Sequence, residues 1–201
     1  MQGRFGIISS MEATLKPTLW RTARALANGD RLNLMRLVST AKGAKGVSEL
    51  AAEAGLPIPT ASVYLRALNA RGLISVVRAG PHVYYGTGSD RSLPTAVQIQ
   101  KSFARLFALS QLPKDWKDRL IPILRAYSNP RREALVRILR TIQPIGYSGL
   151  YQASGLCETS FLRHLGILTA AGIVVRNKNG SYTLAKPSNS LSATFLSACR
   201  Q

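Results

Sequence analysis

The stretch that decides the fold runs from Gly155 to Val174 and reads GLCETSFLRHLGILTAAGIV. Leucines recur in it at helical spacing, which predicts a helix over about 159–171. A short helix over 148–154 precedes the glycine turn, and two strands flank the Asn-Gly turn within 177–180, a dipeptide that suits tight hairpins. Two helices around a glycine turn, followed by a β-hairpin, is the order of a winged helix-turn-helix in which the hairpin is the wing.

The same pattern occurs once before in the chain. Leu65 to Ile74 returns as Leu165 to Val174, and Asn28, which opens an earlier helical run, returns as Asn129. The offset is 101 residues at Asn28 and 100 residues from Leu65 to Ile74. A fixed period this long indicates a duplicated domain, because solenoid repeats are far shorter.

The predicted fold is therefore mainly α with small β-hairpin wings. We expect two winged helix-turn-helix domains, one at 1–90 with an N-terminal helix and one at 128–201 with a C-terminal tail. A helical connector at 91–127 joins them. Its apolar residues either pack the two domains together or form a dimerisation helix between chains.

In the first copy a helix is predicted over about 59–71, followed by strands over 74–78 and 82–85. Asp30 is the expected cap of the helix after Asn28-Gly29, and Ser48 is the expected N-cap of the short helix that follows.

The charge is strongly positive. Twenty-seven Lys and Arg stand against nine Asp and Glu, giving +18 at pH 7. No acid lies between Glu53 and Asp90, and only Glu158 is acidic after Ala134. These acid-poor stretches cover the same part of each repeat, which favours a surface facing phosphate and indicates nucleic acid ahead of an anionic membrane.

Metal and cofactor chemistry has little support. Cys157, Cys199, His82 and His164 show no ligand-like local spacing, so no metal and no cofactor are expected. Cys157 is predicted to be a small buried side chain in the turn, and Cys199 a tail residue without a visible role. Two cysteines are too few for a disulfide framework.

The sequence also lacks the marks of an enzyme, a secreted protein or a membrane protein. It has no glycine-rich phosphate loop, no paired carboxylate motif and no nucleophile with a recognisable base. Neither a signal peptide nor an apolar stretch of membrane-spanning length is present. We expect a cytoplasmic, nucleoid-associated protein without membrane contact.

A family likeness is carried by Thr159 to Val174, and in the first copy by Gly46 to Ala51 and Leu65 to Ile74. These stretches resemble the ArsR-type bacterial transcriptional repressors. The resemblance implies DNA binding through the winged helix. Members of that family usually dimerise with one winged helix per chain, whereas this chain carries two, so a monomer could present two recognition helices. The metal-sensing members have paired cysteines where this chain reads Glu49 to Glu53, without a thiol.

Helical geometry predicts which residues of the first recognition helix face solvent or DNA. Hydroxyls at the helix start reach phosphates or base edges, an arginine pairs with guanine or phosphate, and a valine contacts a thymine methyl. The tyrosine either joins this face or packs beside the wing. The predicted DNA-binding residues are Thr60, Ser62, Val63, Tyr64 and Arg66.

In the second copy the corresponding residues are Thr159, Ser160, Leu162, Arg163 and His164. Leu162 touches thymine methyls, or else this copy faces protein rather than DNA. His164 is expected to make a neutral hydrogen-bonding contact. The wings add cations that grip phosphate or enter the minor groove, and these are Arg78, His82, Arg176 and Lys178.

The sequence thus favours a sequence-specific regulator of transcription that binds double-stranded DNA, a repressor built as a single-chain pseudo-dimer. Since the copies differ at every base-reading position, the expected target is asymmetric. The alternative is a tandem winged-helix module for protein interaction or nucleoprotein architecture. RNA binding stays open, although the aromatic stacking signature of single-strand modules is missing.

Overall fold

The computed structural model describes residues 18–88, 93–108 and 112–199. These residues form a mainly helical protein with two small antiparallel sheets. The helical spacing of Leu15, Leu19, Ala23 and Leu26 predicts the N-terminal helix, and of these residues Leu15 lies outside the described ranges. None of the described helices is long and apolar enough to cross a membrane.

The first half contains four helices and a three-stranded sheet within residues 19–86. The helices are α1 (Leu19–Leu26), α2 (Gly29–Thr40), α3 (Val47–Ala54) and α4 (Ile58–Asn69). The strands are β1 (Lys45–Gly46), β2 (Ser75–Ala79) and β3 (His82–Gly86). β3 lies in the middle, and its register with β2 sets Arg78 opposite Val83. The predicted wing is this β2–β3 hairpin.

The same order of elements follows in the second half. After α5 (Pro94–Phe107) come α6 (Trp116–Tyr127), α7 (Pro130–Thr141), α8 (Tyr147–Ser154), α9 (Glu158–Ala170), β4 (Val174–Arg176), β5 (Tyr182–Leu184) and α10 (Ser190–Ala198). A single bridge between Ile145 and Tyr182 stands where the first half has β1.

Two capping predictions were wrong. The side chain of Asn28, not Asp30, caps α2, because its oxygen accepts from the Arg31 amide at 3.0 Å. Asn129 caps α7 in the same way, accepting from the Arg131 amide at 2.9 Å. Ser48 lies inside α3, whose N-cap is Gly46.

The turn between the two helices of each motif depends on one glycine. Gly55 has φ 67° and Gly155 has φ 61°, both in the left-handed region. A Cβ at either position would meet no atom within 4 Å, so the requirement for glycine is conformational rather than steric. These turns set the angle at which α4 and α9 leave the shorter helices.

The C-terminal segment is a helix rather than the expected tail. Asn189 caps α10, and Phe195 on this helix stacks on Tyr127 with ring centroids 5.4 Å apart. Cys199, which the sequence left without a role, is buried beside this helix. Burial raises the pKa of its thiol to about 12. Small residues such as Ser and Ala dilute the apolar pattern of α10, which explains why the sequence did not reveal it.

Helices with equivalent places in the two halves pack against each other. α1 packs against α6, and α5 packs against α10. At the second contact the hydroxyl oxygens of Ser102 and Thr194 are 2.6 Å apart. Phe103 and Leu124 of the predicted connector are fully buried within the chain.

Two arginines join successive helices in the same manner. Arg31 of α2 donates to the carbonyl oxygens of Arg24 and Ala25 at the end of α1. Arg132 of α7 donates to those of Arg125 and Ala126 at the end of α6, at 2.6 and 2.7 Å. Carbonyls at a helix C-terminus lack helical partners, so each arginine stabilises the preceding helix end.

Candidate nucleic-acid interface

The exposed face of α4 lies opposite the row of buried residues on the same helix. Ala61, Leu65 and Leu68 are fully buried against the core. Val63, which is 53% exposed, and Arg66 lie on the opposite side. Both residues therefore point away from the core, as the sequence predicted.

The rest of the predicted set on α4 is only half exposed. Thr60, Ser62 and Tyr64 are partly buried. Tyr64 packs beneath the guanidinium of Arg31, which lies 5.3 Å from its ring centroid. The Tyr64 ring is thus a partner of α2 rather than part of the outward face.

The wing and α4 border one groove. A cavity of about 540 Å³ is lined by the starts of α3 and α4 and by the wing, and Ser62, His82 and Tyr84 are among its walls. His82 lies at the hairpin end and is exposed, as is Arg78 on β2. Residues that the sequence assigned to helix and wing therefore come together at one surface.

Two acids beside this groove share one lysine. Lys45 of β1 pairs with Glu49 at 3.5 Å and also with Glu53. The hydrogen bond that the Lys45 ammonium donates to Glu53 raises the pKa of that ammonium. Lys45 offsets one of these two negative charges, and Arg66 and Arg78 outweigh the other, so the face is net positive.

On α9 the outward face carries different chemistry. Thr159 and Arg163 are exposed, Ser160 is half-buried, and Leu162 is 50% exposed. Glu158 accepts from the Tyr147 hydroxyl at 3.3 Å. The wing adds Arg176 and Lys178, both exposed.

His164 is not on this face, so its assignment as a DNA contact was wrong. Its side chain is 2% exposed, and Nδ1 lies 3.5 Å from Nη1 of Arg132. Burial first, and then the charge of Arg132, lowers the pKa of the imidazole. Helical spacing could have predicted this burial, because His164 lies three residues after buried Phe161 and four residues before buried Leu168.

Cys157 also departs from the prediction, because it is exposed rather than buried. Its thiol donates to the Ser160 hydroxyl at 3.3 Å at the start of α9. The hydrogen bonds with Ser160, and then the charge of Arg131, lower the pKa of the Cys157 thiol. Arg131 is an exposed cation near this end of α9 that the sequence reasoning missed.

Metal ligands do not converge in the described part of the chain. Across residues 18–88, 93–108 and 112–199, no three His, Cys, Asp or Glu side chains are grouped so that they could hold a metal ion.

Comparison with known proteins identifies the first of these units. Residues 31–78 match the profile of the IclR helix-turn-helix domain. They span α2, α3, α4 and most of β2, so the first half of the chain contains a winged helix-turn-helix DNA-binding domain of the IclR type.

One curated relative is the HTH-type transcriptional regulator Rv0324 of Mycobacterium tuberculosis, which is 35% identical over 107 residues. The match covers 53% of this chain and 42% of the relative, so the chain spans less than half of that protein.

Two solved structures are also similar. One is the homodimeric winged helix-turn-helix DNA-binding domain of Mb0332 from Mycobacterium bovis, described as a possible ArsR-family transcriptional regulator. It is 30% identical, with TM-score 0.34 and coverage of 54% of this chain and 85% of that one. The other is human N-acetylserotonin methyltransferase in complex with SAM, which is 12% identical, with TM-score 0.35 and coverage of 77% and 57%. Similarity at that level carries no argument about methyl transfer.

Proposed function

We propose that this chain is a sequence-specific, double-stranded DNA-binding regulator of transcription that acts as an internal pseudo-dimer in the cytoplasm, at the nucleoid. The observation that carries the proposal is the match of residues 31–78 to a DNA-binding domain, combined with a second unit of the same element order at 130–184. The ArsR-type resemblance of the second unit belongs to this proposal.

The pseudo-dimer is supported by which helices meet. In a two-fold interface the same patch of both subunits is used, so elements that lie at the axis contact their own equivalents. Leu19 and Leu26 of α1 correspond in sequence to Leu120 and Tyr127 of α6, and all four are buried. The two helices that carry them pack together. The helices that follow each hairpin, α5 and α10, pack in the same way.

This correspondence also suggests different domain limits. α6 matches α1 in position and in its arginine contact, so we assign α6 to the second domain and α5 to the first. The predicted connector at 91–127 would then be two helices of two different domains. Association of two chains through these helices is the alternative, and it requires surfaces other than the buried ones.

The proposed target is asymmetric. Half-buried Ser62 and exposed Val63 on α4 correspond to exposed Leu162 and Arg163 on α9. Arginine reads guanine bidentately, whereas an apolar side chain contacts a thymine methyl. The two halves would therefore read different half-sites, with centres about 34 Å apart if they lie on one face of the duplex.

Selection of bound sequences from a random duplex library tests this function directly. We expect enrichment of one asymmetric site with two halves about one helical turn, or 10 base pairs, apart. No enrichment over the input library would contradict the function, and a palindrome would contradict the asymmetry. Repression by steric exclusion then predicts less transcript in vitro from a promoter that overlaps the selected site.

The second candidate is a protein-binding module, and exposed Leu162 favours it for the second half. Replacing Arg78 and Arg176 by Ala separates the two functions. DNA affinity collapses in the double variant if the wings grip phosphate, whereas binding to a protein partner would persist. The positive charge and the match to a DNA-binding domain favour DNA.

A further inference from the structure

The contact between α7 and α9 carries more positive charge than its equivalent in the first half. Arg131 and Arg132 lie in the first turn of α7, and Arg163 lies on α9. We call these three residues the basic cluster. The equivalent positions of the first half hold one acid, one arginine and one valine, so they carry no net charge. In the same order, these residues are Asp30, Arg31 and Val63.

Arg132 is held in place inside the basic cluster. Its side chain is buried, and its guanidinium donates to the carbonyl oxygens at the end of α6 and lies 3.5 Å from Nδ1 of His164. Burial first, and then the charge of Arg163, lowers the pKa of the Arg132 guanidinium. In the first half, neighbouring side chains oppose the effect of burial on the pKa of Arg31. Like charges therefore meet at this contact in the second half, whereas Asp30 offsets the arginine in the first.

The other two cations of the basic cluster are exposed. The side chains of Arg131 and Arg163 have no hydrogen-bond or ion-pair partner among the described residues. The nearest acids along the chain are engaged elsewhere, since Glu133 pairs with another arginine and Glu158 accepts from a tyrosine hydroxyl at 3.3 Å. In the described part of the chain, the basic cluster thus consists of three guanidiniums without a carboxylate partner.

The position of Arg131 relates the basic cluster to the outward face of the second half. Arg131, Ser154 and Leu156 line one small cavity of about 220 Å³, so Arg131 lies beside the turn that leads into α9. When a helix-turn-helix is docked on DNA, the first residues of its second helix contact base edges, and the preceding helix crosses the backbone. A cation beside the start of α9 is therefore suitably placed for the backbone next to the bases that α9 reads.

We propose that Arg131 holds a phosphate of the DNA backbone beside the second half of the target, and that the first half lacks this contact because Asp30 occupies the equivalent position. This inference rests on the proposed function. A phosphodiester supplies the negative charge and the acceptor oxygens that the basic cluster lacks. Arg163 then reads base edges from the same cluster. The second half therefore contributes more of the sequence-independent affinity than the first.

Two reciprocal variants test the asymmetry. Arg131→Asp gives the second half the acid of the first, and Asp30→Arg gives the first half the cation of the second. We expect the slope of log affinity against log salt to become shallower by at least about 1 for Arg131→Asp and steeper by about 1 for Asp30→Arg. Between 50 and 200 mM salt, a change of 1 in slope alters the loss of affinity about fourfold.

Each variant tests one part of the proposal. An unchanged slope for Arg131→Asp would overturn the phosphate contact, and an unchanged slope for Asp30→Arg would overturn the role of Asp30 in the asymmetry. The change for Arg131→Asp should be equal on the selected duplex and on a random duplex, because a phosphate contact carries no sequence information. A change confined to the selected duplex would mean that Arg131 reads bases instead.

Backbone linkages made neutral one at a time, as methylphosphonates, locate the contact. We expect one linkage near the second half-site whose neutralisation weakens binding of the natural chain at least about twofold, the lower end of coupling between contacting groups. Arg131→Ala should be insensitive to the same change, since its contact is already absent. Lys178→Ala, in the second wing, should keep the sensitivity at this linkage. Equal sensitivity of the natural chain and Arg131→Ala at every linkage would overturn the proposal.

The outcomes separate this inference from the function on which it rests. A natural chain that binds no duplex would contradict the proposed function. Normal binding by the natural chain, with the same slope in Arg131→Asp, contradicts the phosphate contact alone. Arg131 is exposed, so its variants should fold, and urea unfolding of each variant checks this. Arg131→Ala, the smaller change, keeps the salt measurement decisive if Arg131→Asp lowers the stability.

Discussion

Nδ1 of His164 lies 3.5 Å from a guanidinium nitrogen of Arg132, and both side chains are buried. In the first half the equivalent positions hold Arg31 and Tyr64, where the arginine lies over the ring. The same contact between two helices is thus made once with a phenol ring and once with an imidazole.

This difference predicts acid sensitivity in the second half. The pKa of His164 is lowered in the folded protein, so protons bind more tightly to the unfolded chain. The stabilisation of the folded protein by neutral His164 is complete above the unfolded pKa of about 6.5, and it is lost as pH falls through the lower pKa of the folded state. Urea unfolding at pH 7.5 and 5.0 should show a smaller pH effect for His164→Tyr than for the natural chain. Equal pH effects would contradict the assignment.

The arginine contacts predict a matched pair of stability losses. Arg31→Ala and Arg132→Ala each leave carbonyls at a helix end without their donors, at a cost of about 1–3 kcal/mol. Arg131→Ala, an exposed neighbour, should change the free energy of unfolding by less than about 0.5 kcal/mol. Denaturant titration measures all three, and equal effects of Arg131 and Arg132 would refute the role.

The packing of α10 gives a third stability prediction. Phe195 is fully buried and stacks on Tyr127, so Phe195→Ala should cost about 3–5 kcal/mol. Ser197→Ala, on the exposed side of the same helix, is the control. A small loss at Phe195, measured by thermal and urea unfolding, would mean that α10 does not belong to the stable core.

Each of the two helices α4 and α9 should read bases in only one half of the DNA target. Arg66→Ala and Arg163→Ala are each expected to cost about 1–3 kcal/mol and to relax specificity only in their own half of the target. Competition between the selected duplex and versions changed in one half measures this. The triple variant Ser62→Leu, Val63→Arg, Arg66→Gly copies the second face onto the first, so its selected site should become palindromic. Retention of the original asymmetric site would contradict reading by these residues.

Salt dependence distinguishes wing cations from remote ones. Arg176→Ala and Lys178→Ala should each reduce the slope of log affinity against log salt by about 1. Lys114→Ala, in the loop before α6 rather than in a wing, should leave the slope unchanged. Identical slopes for all three variants would argue against phosphate contact by the second wing.

The helices and hairpins followed from the sequence because their signals are local. Glycines at 55 and 155 and the leucine spacing define α3–α4 and α8–α9 almost to the residue. The wrong predictions concern residues whose surroundings are set by tertiary contacts. His164 was predicted to lie on the surface, but it is buried beside Arg132 and on the same side of α9 as Phe161. Likewise, α10 is stabilised by the stacking of Phe195 on Tyr127, which lies 68 positions earlier in the sequence. No local sequence pattern contains such a contact.

The contact between α5 and α10 joins two segments that differ in sequence, with Ser102 on one side and Thr194 on the other. In an assembly of identical subunits, one codon change alters both sides of such a contact. In this chain it alters one side, so each half can accumulate changes that its counterpart does not share. In the proposed pseudo-dimer, pairing within one polypeptide needs no second molecule, so we expect site occupancy to rise in proportion to protein abundance rather than to its square.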